Sequence, residues 1–369
     1  MKPLLILSLF LCYFCVTKAQ EASLKIIREN SATAIKNQGQ TGTCWDYSTT
    51  SLVESESIRK GLLNNPDLSE MFTVRNVYIE KAKNYVLRQG KAQFSEGGLG
   101  HDLIQAIAKY GAVPQNVFHN VSGEVPNHEG LDKILKDYLD KVLNNRPIPT
   151  DWLIGYEKIL TEKIGTAPDN FDYEGKNYTP RTFATEVLKF DPNDYVNITS
   201  FTHHPFYAPF VLETPDNFAN ASFYNVPLNE MISLTEEALK NGYTIMWDAD
   251  VSNKNFQQKK GFALLFADST DAKQMHINPE AGERTFSENV RQQLYENLTT
   301  QDDHLMHLVG IEQSKGGKSF FKVKNSWGEV GPFKGYISVS SPYFAINTVS
   351  LVVPKDALSK EMKEKLKLL

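Results

Sequence analysis

The chain has 369 residues, of which 41% are hydrophobic and 22% are charged. This composition supports a sizeable buried core and carries too little charge for an intrinsically disordered chain. The 39 Lys and Arg residues are outnumbered by 44 Asp and Glu residues, so the formal charge is −5 and nucleic-acid binding is not favoured.

The first 19 residues have the pattern of a secretory signal peptide. A lysine at position 2 precedes an uncharged apolar run over residues 3–16, and residues 17–19 (Thr-Lys-Ala) supply small residues for a cleavage site. The apolar run is shorter than the roughly 20 residues that a membrane-spanning helix needs. The sequence therefore predicts an exported protein, periplasmic or extracellular, with no membrane span after cleavage of the signal.

Cleavage of this signal would leave one cysteine. Cys12 and Cys15 lie inside the predicted signal peptide, so Cys44 is the only thiol of the predicted mature chain. A single cysteine cannot form an internal disulfide, and it is either a small buried hydrophobic residue or a reactive thiol.

Hydrophobic periodicity predicts helices in the first half of the chain and strands in the second half. The predicted helices cover residues 44–60, 102–110 and 131–143. The predicted strands cover residues 244–251, 262–266, 305–312, 319–324 and 335–339. Residues 165–229 lack periodicity and are predicted to be irregular. Helices followed by strands indicate an α+β fold whose two lobes could meet at a cleft.

Cys44 occupies a position that could make its thiol reactive. It follows the glycine-containing segment 37–43 at the predicted start of a helix, where free backbone N–H groups and the helix dipole favour the thiolate. Gln38, six residues upstream, could bring its side-chain amide back toward the sulfur. Together with the Cys44 N–H group, that amide could stabilise an oxyanion.

Two polar residues in the second half could complete such a site. His304 precedes the apolar run 305–310 and would be the polar residue at the mouth of a buried strand. Asn325 ends another predicted strand beside Trp327 and offers a carboxamide that could orient an imidazole. His307 is a rival base, but residues three apart on a strand face opposite sides.

These motifs resemble those of the papain-like cysteine peptidases. The resemblance rests on residues 38–45 (Gln-Gly-Gln-Thr-Gly-Thr-Cys-Trp), on residues 325–328 (Asn-Ser-Trp-Gly), and on the order of the motifs along the chain. His304 also keeps the family's six-residue step to Gly310, which favours it over His307 as the base.

The long separation between the cysteine and histidine motifs resembles the bleomycin hydrolase and aminopeptidase C branch of this family. Gly97-Gly98 is similar to the glycine pair of that branch. The resemblance implies one papain-like two-lobe peptidase domain over residues 20–369. Its expected parts are a mainly helical lobe with insertions (20–240), an antiparallel β-rich lobe (241–350) and a C-terminal helical tail (351–369).

The resemblance also implies a role for each residue that matches a family motif. The expected roles are Cys44 as nucleophile, His304 as general acid and base, Asn325 as orienting amide, Gln38 as oxyanion donor, Gly97 and Gly98 as substrate-binding backbone, and Trp327 as the shield of the His304–Asn325 contact. Peptides are the expected substrates.

Other polar residues are interpreted as structural. Asp302 and Asp303 are interpreted as solvated loop residues, because nothing upstream fixes their direction. The pairs at residues 203–204 (His-His) and 128–129 (His-Glu) lack the spacing of zinc motifs. No metal and no cofactor is therefore predicted.

The resemblance implies hydrolysis of peptides through a thioester, with aminopeptidase action as the leading expectation. In that branch a C-terminal arm in the cleft limits cleavage to free N-termini, and a hexameric ring goes with it. Residues 355–369 do not resemble such an arm. They are predicted to form a helix that docks on the protein's own surface through Leu358, Met362, Leu366 and Leu369. Endopeptidase action is therefore the alternative, and a homo-oligomer is expected from the resemblance alone.

Two alternatives of other classes stay open. A thiol acyltransferase would use the same triad but release the acyl group to an amine in place of water. A non-catalytic peptide-binding relative would have lost a member of the Cys, His and Asn set, all of which this chain retains. Product analysis with an added amine identifies the first, and slow alkylation of Cys44 would indicate the second.

Overall fold

Most of the long helices lie in the first half of the chain in the computed structural model, which describes residues 24–119, 123 and 125–369. The predicted signal peptide lies outside these residues. The helices are α1 (Cys44–Arg59), α2 (Glu70–Leu87), α3 (Gly100–Tyr110), α4 (Leu131–Leu143), α5 (Trp152–Lys163), α6 (Pro180–Thr182), α7 (Leu228–Lys240), α8 (Glu288–Glu296), α9 (Ser341–Asn347) and α10 (Lys360–Lys365). Among the described residues, none of the helices is both long and apolar enough to cross a membrane.

In the part of the chain that the structure describes, eleven strands form one mixed sheet, and a separate hairpin pairs two more. The strands are β1 (Lys25–Glu29), β2 (Phe171–Tyr173), β3 (Lys176–Tyr178), β4 (Tyr195–Thr199), β5 (Pro209–Val211), β6 (Ser222–Asn225), β7 (Ile245–Ala249), β8 (Phe256–Gln257), β9 (Phe262–Ala263), β10 (His304–Gln313), β11 (Ser319–Lys324), β12 (Tyr336–Ser340) and β13 (Thr348–Pro354). The main sheet has the order β5-β6-β4-β13-β7-β10-β11-β12-β9-β8, and β1 pairs with β10. Its pairs are antiparallel except β4 with β6 and β9 with β12.

Helix α1 lies between the other helices and the sheet. It contacts α2 and α3 as well as β7 and β10, and 14 of its 16 residues are buried. Its polar side chains tolerate burial because several bond within the helix: the hydroxyls of Ser48 and Thr49 both donate to the Trp45 carbonyl. The helix begins at Cys44, which therefore stands at a junction of helices and sheet.

The predicted α+β class is confirmed, and several predicted elements match closely. Helix α4 and strand β11 have the predicted bounds, and α1, α3, β10 and β12 begin and end within two residues of them. These elements have clear apolar periodicity or glycine and proline stop signals, which local sequence can report. Helix α2 was not predicted, although Ser69 caps it by accepting a hydrogen bond from the Phe72 N–H group.

The prediction that residues 165–229 are irregular was wrong in part. This segment contains β4, β5 and β6, which extend the main sheet beyond β13. Each of these strands has only three to five residues, too few to show alternation clearly. The partner of β4 is β13, which lies far away in sequence, so this pairing depends on the assembled fold.

The prediction of a helical tail over residues 351–369 also needs correction. Residues up to 354 belong to β13, an interior strand of the sheet, and the helix covers only Lys360–Lys365. One hydrophobic core is formed by the main sheet together with helices α7 and α9, and we call it the sheet-side core. The predicted docking of the apolar stripe holds for Leu358, Met362 and Leu366, which are buried in this core. Leu369 is 77% exposed and does not take part.

Candidate active site

His304 and Asn325 are in direct contact at the ends of neighbouring strands. His304 is the first residue of β10, Asn325 directly follows β11, and His304 Nε2 lies 2.7 Å from Asn325 Oδ1. Asn325 Oδ1 also accepts from the Ser326 N–H group (2.7 Å), while its Nδ2 donates to Gln258 Oε1 (3.0 Å). These two contacts determine the amide orientation, so His304 Nε2 donates its proton to Asn325. The other ring nitrogen, Nδ1, is left as the basic atom.

The His304 imidazole is shielded from water. The Trp327 ring lies over it at a centroid distance of 4.5 Å and an interplanar angle of 31°, and His304 and Asn325 are both buried. Burial lowers the pKa of His304, against the opposing effects of Asn325 and Asp303. The ring is therefore neutral near pH 7 and able to accept a proton.

The Cys44 thiol lies beside the same strand. Helix α1, which begins with Cys44, packs against β10. Burial raises the pKa of the thiol to about 12, with smaller contributions in the same direction from Asp302, Asp248 and Asp216 and an opposing contribution from the Leu305 backbone. The sequence predicted that the helix N-terminus favours the thiolate, and burial of the sulfur acts in the opposite direction.

Gln38 is connected to the segment that carries Asn325. Its backbone N–H group donates to the Ser326 carbonyl (2.8 Å), and its Oε1 accepts from the Ser326 hydroxyl (2.6 Å). Its Nε2 donates one proton to the Thr41 carbonyl (2.8 Å). An amide nitrogen carries two protons, so Gln38 retains a second donor in the loop that leads to Cys44.

Gly97 and Gly98 directly precede α3 and pack closely against other residues. A Cβ at Gly98 would lie 3.1 Å from the Trp45 ring, and one at Gly97 would lie 1.8 Å from Asp216 Oδ2. The buried Lys81 ammonium donates to the Gly97 carbonyl. The glycine pair is thus held beside the residue that follows Cys44.

Asp302 is not the solvated loop residue that the sequence predicted, whereas Asp303 is exposed. The Asp302 carboxyl accepts from the Thr214 hydroxyl (2.9 Å) and contacts the Asp248 carboxyl. Burial, followed by the charge of Asp216, raises the pKa of Asp302 to about 7. The segment that carries Thr214 was predicted to be irregular, so its approach to Asp302 could not be expected from local sequence.

His307, the rival base, has different partners from His304. Its Nδ1 lies 2.9 Å from the Ser51 hydroxyl of α1, and the Lys324 ammonium donates to the same hydroxyl (2.8 Å). Burial and the Lys324 charge lower the pKa of His307 well below its ordinary value. Among the described residues His307 neither hydrogen-bonds to Asn325 nor packs on the Trp327 ring, as expected if residues three apart on a strand face opposite sides.

Among the described residues, one group of three side chains has metal-ligand spacing. The ligand atoms of His203, His204 and Glu213 lie within 4.8 Å of one another. However, Gln292 Oε1 accepts from the Thr202 N–H group, so its Nε2 must donate to His203 Nδ1. The proton of His203 then sits on Nε2 and points to Glu213. This hydrogen-bond network uses the lone pair that a metal ion would need at His203.

Two residues of the site were not identified from the sequence. Ser326 binds Gln38 and orients Asn325, and its place inside the Asn-Ser-Trp-Gly motif was the available signal. Gln258 holds the Asn325 amide from a short 3-10 turn between β8 and β9. No local pattern marks Gln258, because its partner lies 67 residues away in sequence.

Comparison with known proteins agrees with this geometry. Residues 159–368 match the model of the family described as "Peptidase C1-like family". Aminopeptidase G and Aminopeptidase W of Lactobacillus delbrueckii subsp. lactis are 25% and 26% identical over 89% and 90% of this chain and 83% of each relative. The crystal structure of PepW from Lactobacillus rhamnosis HN001 superposes with a TM-score of 0.76 over 94% of this chain and 85% of that chain, at 19% identity. The fold is therefore papain-like.

Proposed function

The chain belongs to the Peptidase C1-like family, and we propose that it is an exported cysteine aminopeptidase that uses Cys44, His304 and Asn325 as a catalytic triad. The observation that carries this proposal is the buried His304–Asn325 hydrogen bond at the start of β10, the strand that packs against α1, which begins with Cys44. A nucleophile, a base and a group that orients the base are the three components of such a site.

Catalysis begins from a neutral thiol and a neutral imidazole. As the Cys44 sulfur attacks the scissile carbonyl carbon, His304 Nδ1 takes the thiol proton, so no free thiolate with a raised pKa has to form first. The imidazolium then donates this proton to the leaving amine as the C–N bond breaks. Water that His304 deprotonates attacks the resulting thioester, and the carboxylic acid product leaves with Cys44 restored.

The oxyanion of each tetrahedral intermediate needs hydrogen-bond donors. The Cys44 backbone N–H group is one of the first four of α1, which have no acceptor within the helix. The second proton of Gln38 Nε2 is the other proposed donor. The hydrogen bond between Gln38 and Ser326 holds this amide beside the segment that carries Asn325. A donor that is oriented before the reaction stabilises the charge most effectively.

Aminopeptidase action is the finer part of the proposal. It is supported by the two Lactobacillus delbrueckii relatives, whose names describe aminopeptidases and whose matches extend over most of this chain. Endopeptidase action is the second candidate. It is favoured by helix α10, which packs on the sheet-side core through Leu366. A segment docked in this way does not act as the arm that limits cleavage to free N-termini.

The direct test compares the unmodified enzyme with Cys44→Ala on a short peptide with a free N-terminus. We expect the unmodified enzyme to release the N-terminal residue, as detected by mass spectrometry, and Cys44→Ala to be inactive. Internal cleavage would favour the endopeptidase, and transfer of the acyl group to an added amine would favour the acyltransferase. If peptide hydrolysis is absent, or persists in Cys44→Ala, the proposed function is wrong.

Export is proposed from the signal-like pattern of residues 1–19. Expression of the full chain in a bacterial host, followed by N-terminal sequencing of the protein in the periplasm and medium, tests it. A new N-terminus near residue 20 is expected. Formation of a homo-oligomer remains a prediction. Light scattering of the purified protein, which measures its molar mass in solution, tests this prediction.

A further inference from the structure

Three carboxyl groups lie near the Cys44 thiol, and the mechanism above uses none of them. Asp302 precedes β10, Asp248 lies on β7 as the cross-strand partner of Leu305, and Asp216 belongs to the loop between β5 and β6. Asp216 packs on Gly97, and the neighbouring Gly98 packs on the ring of Trp45, the residue after Cys44. The charges of all three groups raise the pKa of the thiol. We call Asp216, Asp248 and Asp302 the acidic rim.

Asp302 and Asp248 form the inner part of the acidic rim. Their carboxyl groups contact each other; Asp302 is partly exposed, and Asp248 has no exposed surface. Asp248 Oδ2 accepts from the Ser350 hydroxyl (2.9 Å), whereas Asp248 Oδ1 accepts no hydrogen bond from any described N–H or hydroxyl group. Burial and the charge of Asp302 raise the pKa of Asp248 well above its ordinary value, so the two contacting carboxyl groups share a proton, and a bound cation would allow both to ionise.

Asp216 extends the acidic rim to the glycine pair. Its Oδ1 lies 3.3 Å from the Ser95 hydroxyl, and its Oδ2 occupies the space where a side chain at Gly97 would stand. Asp216 is partly exposed. The rim therefore borders the backbone that is proposed to bind the substrate, with Thr214 joining Asp302 to the same loop.

Among the described residues, no Lys or Arg forms an ion pair with the acidic rim. Two buried cations act on the rim without an ion pair: Lys81 donates to the Gly97 carbonyl and its charge opposes the rise in the pKa of Asp216, and Arg291, which donates to the carbonyls of Ser200 and Ala345, interacts electrostatically with Asp248. The rim is not a group of three with metal-ligand spacing in the described part of the chain. An ammonium, which has three N–H donors, is a cation that its carboxyl groups can bind.

The geometry of peptide hydrolysis brings such an ammonium to this place. When the first peptide bond of a substrate is attacked, its α-nitrogen is two covalent bonds from the carbon that the sulfur attacks. We propose that Asp302, supported by Asp248 and flanked by Asp216, binds the α-ammonium of the substrate's N-terminal residue. This inference rests on the proposed aminopeptidase function and names the residues that would select a free N-terminus.

Binding of the ammonium would also assist catalysis. In the unliganded enzyme the acidic rim disfavours negative charge on the sulfur. A substrate cation between the carboxylates and the sulfur offsets this effect, because an adjacent positive charge favours the thiolate. A substrate with an acetylated N-terminus has no such charge and would leave the thiol in its unfavourable state.

The test is the ratio of kcat/KM for a peptide with a free N-terminus to kcat/KM for the same peptide acetylated. Asp302→Asn keeps the size of the side chain and removes its charge, and Asp303→Asn is the matched control on the adjacent exposed carboxylate. We expect Asp302→Asn to lower the ratio by about 10-fold or more, as for loss of one partner of a desolvated charge pair. Asp303→Asn should change it less than 2-fold.

A binding measurement makes the test independent of turnover. In the Cys44→Ala background, calorimetry should show tighter binding of the free peptide than of the acetylated peptide, and Asp302→Asn should remove this preference. Asp216→Asn is the second variant if Asp302→Asn does not fold.

Two outcomes would overturn the inference while the peptidase function stands: an equal ratio of kcat/KM for the free and acetylated peptides in all variants, or equal cleavage of both peptides by the unmodified enzyme. A preference for the free peptide without any hydrolysis would support the inference and contradict the proposed function.

Discussion

Side-chain amides organise the proposed triad at the scale of single residues. Asn325 cannot rotate because Ser326 and Gln258 occupy both ends of its carboxamide. The orientation of the His304 ring follows from Asn325, and that of the Gln38 amide follows from Ser326. One connected set of hydrogen bonds therefore orients both the base and the proposed oxyanion donor.

Gln258→Leu should impair catalysis by releasing Asn325 Nδ2. Loss of one hydrogen bond of about 1 kcal/mol predicts a decrease in kcat of about 5-fold with KM nearly unchanged. Because the His304 contact loosens, the acidic limb of the kcat–pH profile should also move. The control is Gln257→Leu, whose side-chain amide donates to the Lys254 carbonyl on an exposed part of the surface; equal effects of both variants would contradict the positioning role of Gln258.

The acidic rim predicts a specific pH dependence. Burial and the neighbouring Asp216 raise the pKa of Asp302 to about 7, with Asp303 acting in the same direction and Asp248 and Thr214 opposing it through hydrogen bonds. A carboxyl group binds an ammonium in its ionised form, which exists above its pKa. For a free peptide, kcat/KM should therefore rise as the pH increases through about 7, and fall above about 8 as the α-amino group loses its proton.

In Asp302→Asn this acidic limb should disappear. The remaining limb would be set by His304, whose pKa burial lowers below 6.5, so activity would persist to lower pH. Measurement of kcat/KM between pH 5 and 9 for the unmodified enzyme and the variant checks this. An acidic limb near pH 7 in both proteins would show that Asp302 does not control it.

At the scale of elements, the site lies where three elements end or begin. Helix α1 begins with Cys44, β10 begins with His304, and β11 ends just before Asn325. The antiparallel pairing of β10 with β7 and β11 brings Asp248 and Asn325 to the same end of the sheet as His304. Strand register thus determines which polar groups surround the sulfur.

Helix α10 should contribute to stability through Leu366, which is 1% exposed. Leu366→Ala removes buried methyl groups and should lower the free energy of unfolding by about 2–4 kcal/mol. Leu369→Ala is the matched control, because this side chain is 77% exposed and its change should cost less than about 0.5 kcal/mol. Urea unfolding followed by circular dichroism measures both values, and equal midpoints would refute the docking of α10.

At the scale of the whole molecule, a buried polar layer connects the helices to the sheet. Lys36 bonds to Glu70 (2.7 Å) and lies 3.7 Å from Glu54 of α1. Lys324 of β11 donates to Ser51 of α1. These contacts lie between the helix-side and sheet-side cores. The layer holds α1, and with it Cys44, at a set distance from the strand that carries the base.

Lys36→Met should destabilise the whole protein. The Glu54 and Glu70 side chains are 1% and 4% exposed, and loss of their cation leaves two buried carboxyl groups without a counterion. We expect the free energy of unfolding to fall by about 3–5 kcal/mol. Lys133→Met removes an exposed helix pair with Asp137 and should leave the urea midpoint nearly unchanged, because solvent screens such pairs; similar urea midpoints for both variants would rule out this role.

The sequence by itself determined the α+β class, the start of α1 at Cys44, the strands β10 and β11, and His304 and Asn325 as candidates for the base and its orienting amide. These features were predictable because apolar periodicity, turn residues and a short motif are local properties of the chain. Strand parity predicted that His304 and His307 face opposite sides, and the six-residue step to Gly310, which the family resemblance supplied, favoured His304.

Only the tertiary structure decided the electrostatics around the sulfur. The high pKa of Cys44 arises from burial and from Asp216, Asp248 and Asp302, which belong to three segments far apart in sequence. The contact of Gln258 with Asn325 and the entry of β4 to β6 into the sheet have the same origin. Burial and long-range pairing are properties of packed segments, so no single stretch of sequence carries them.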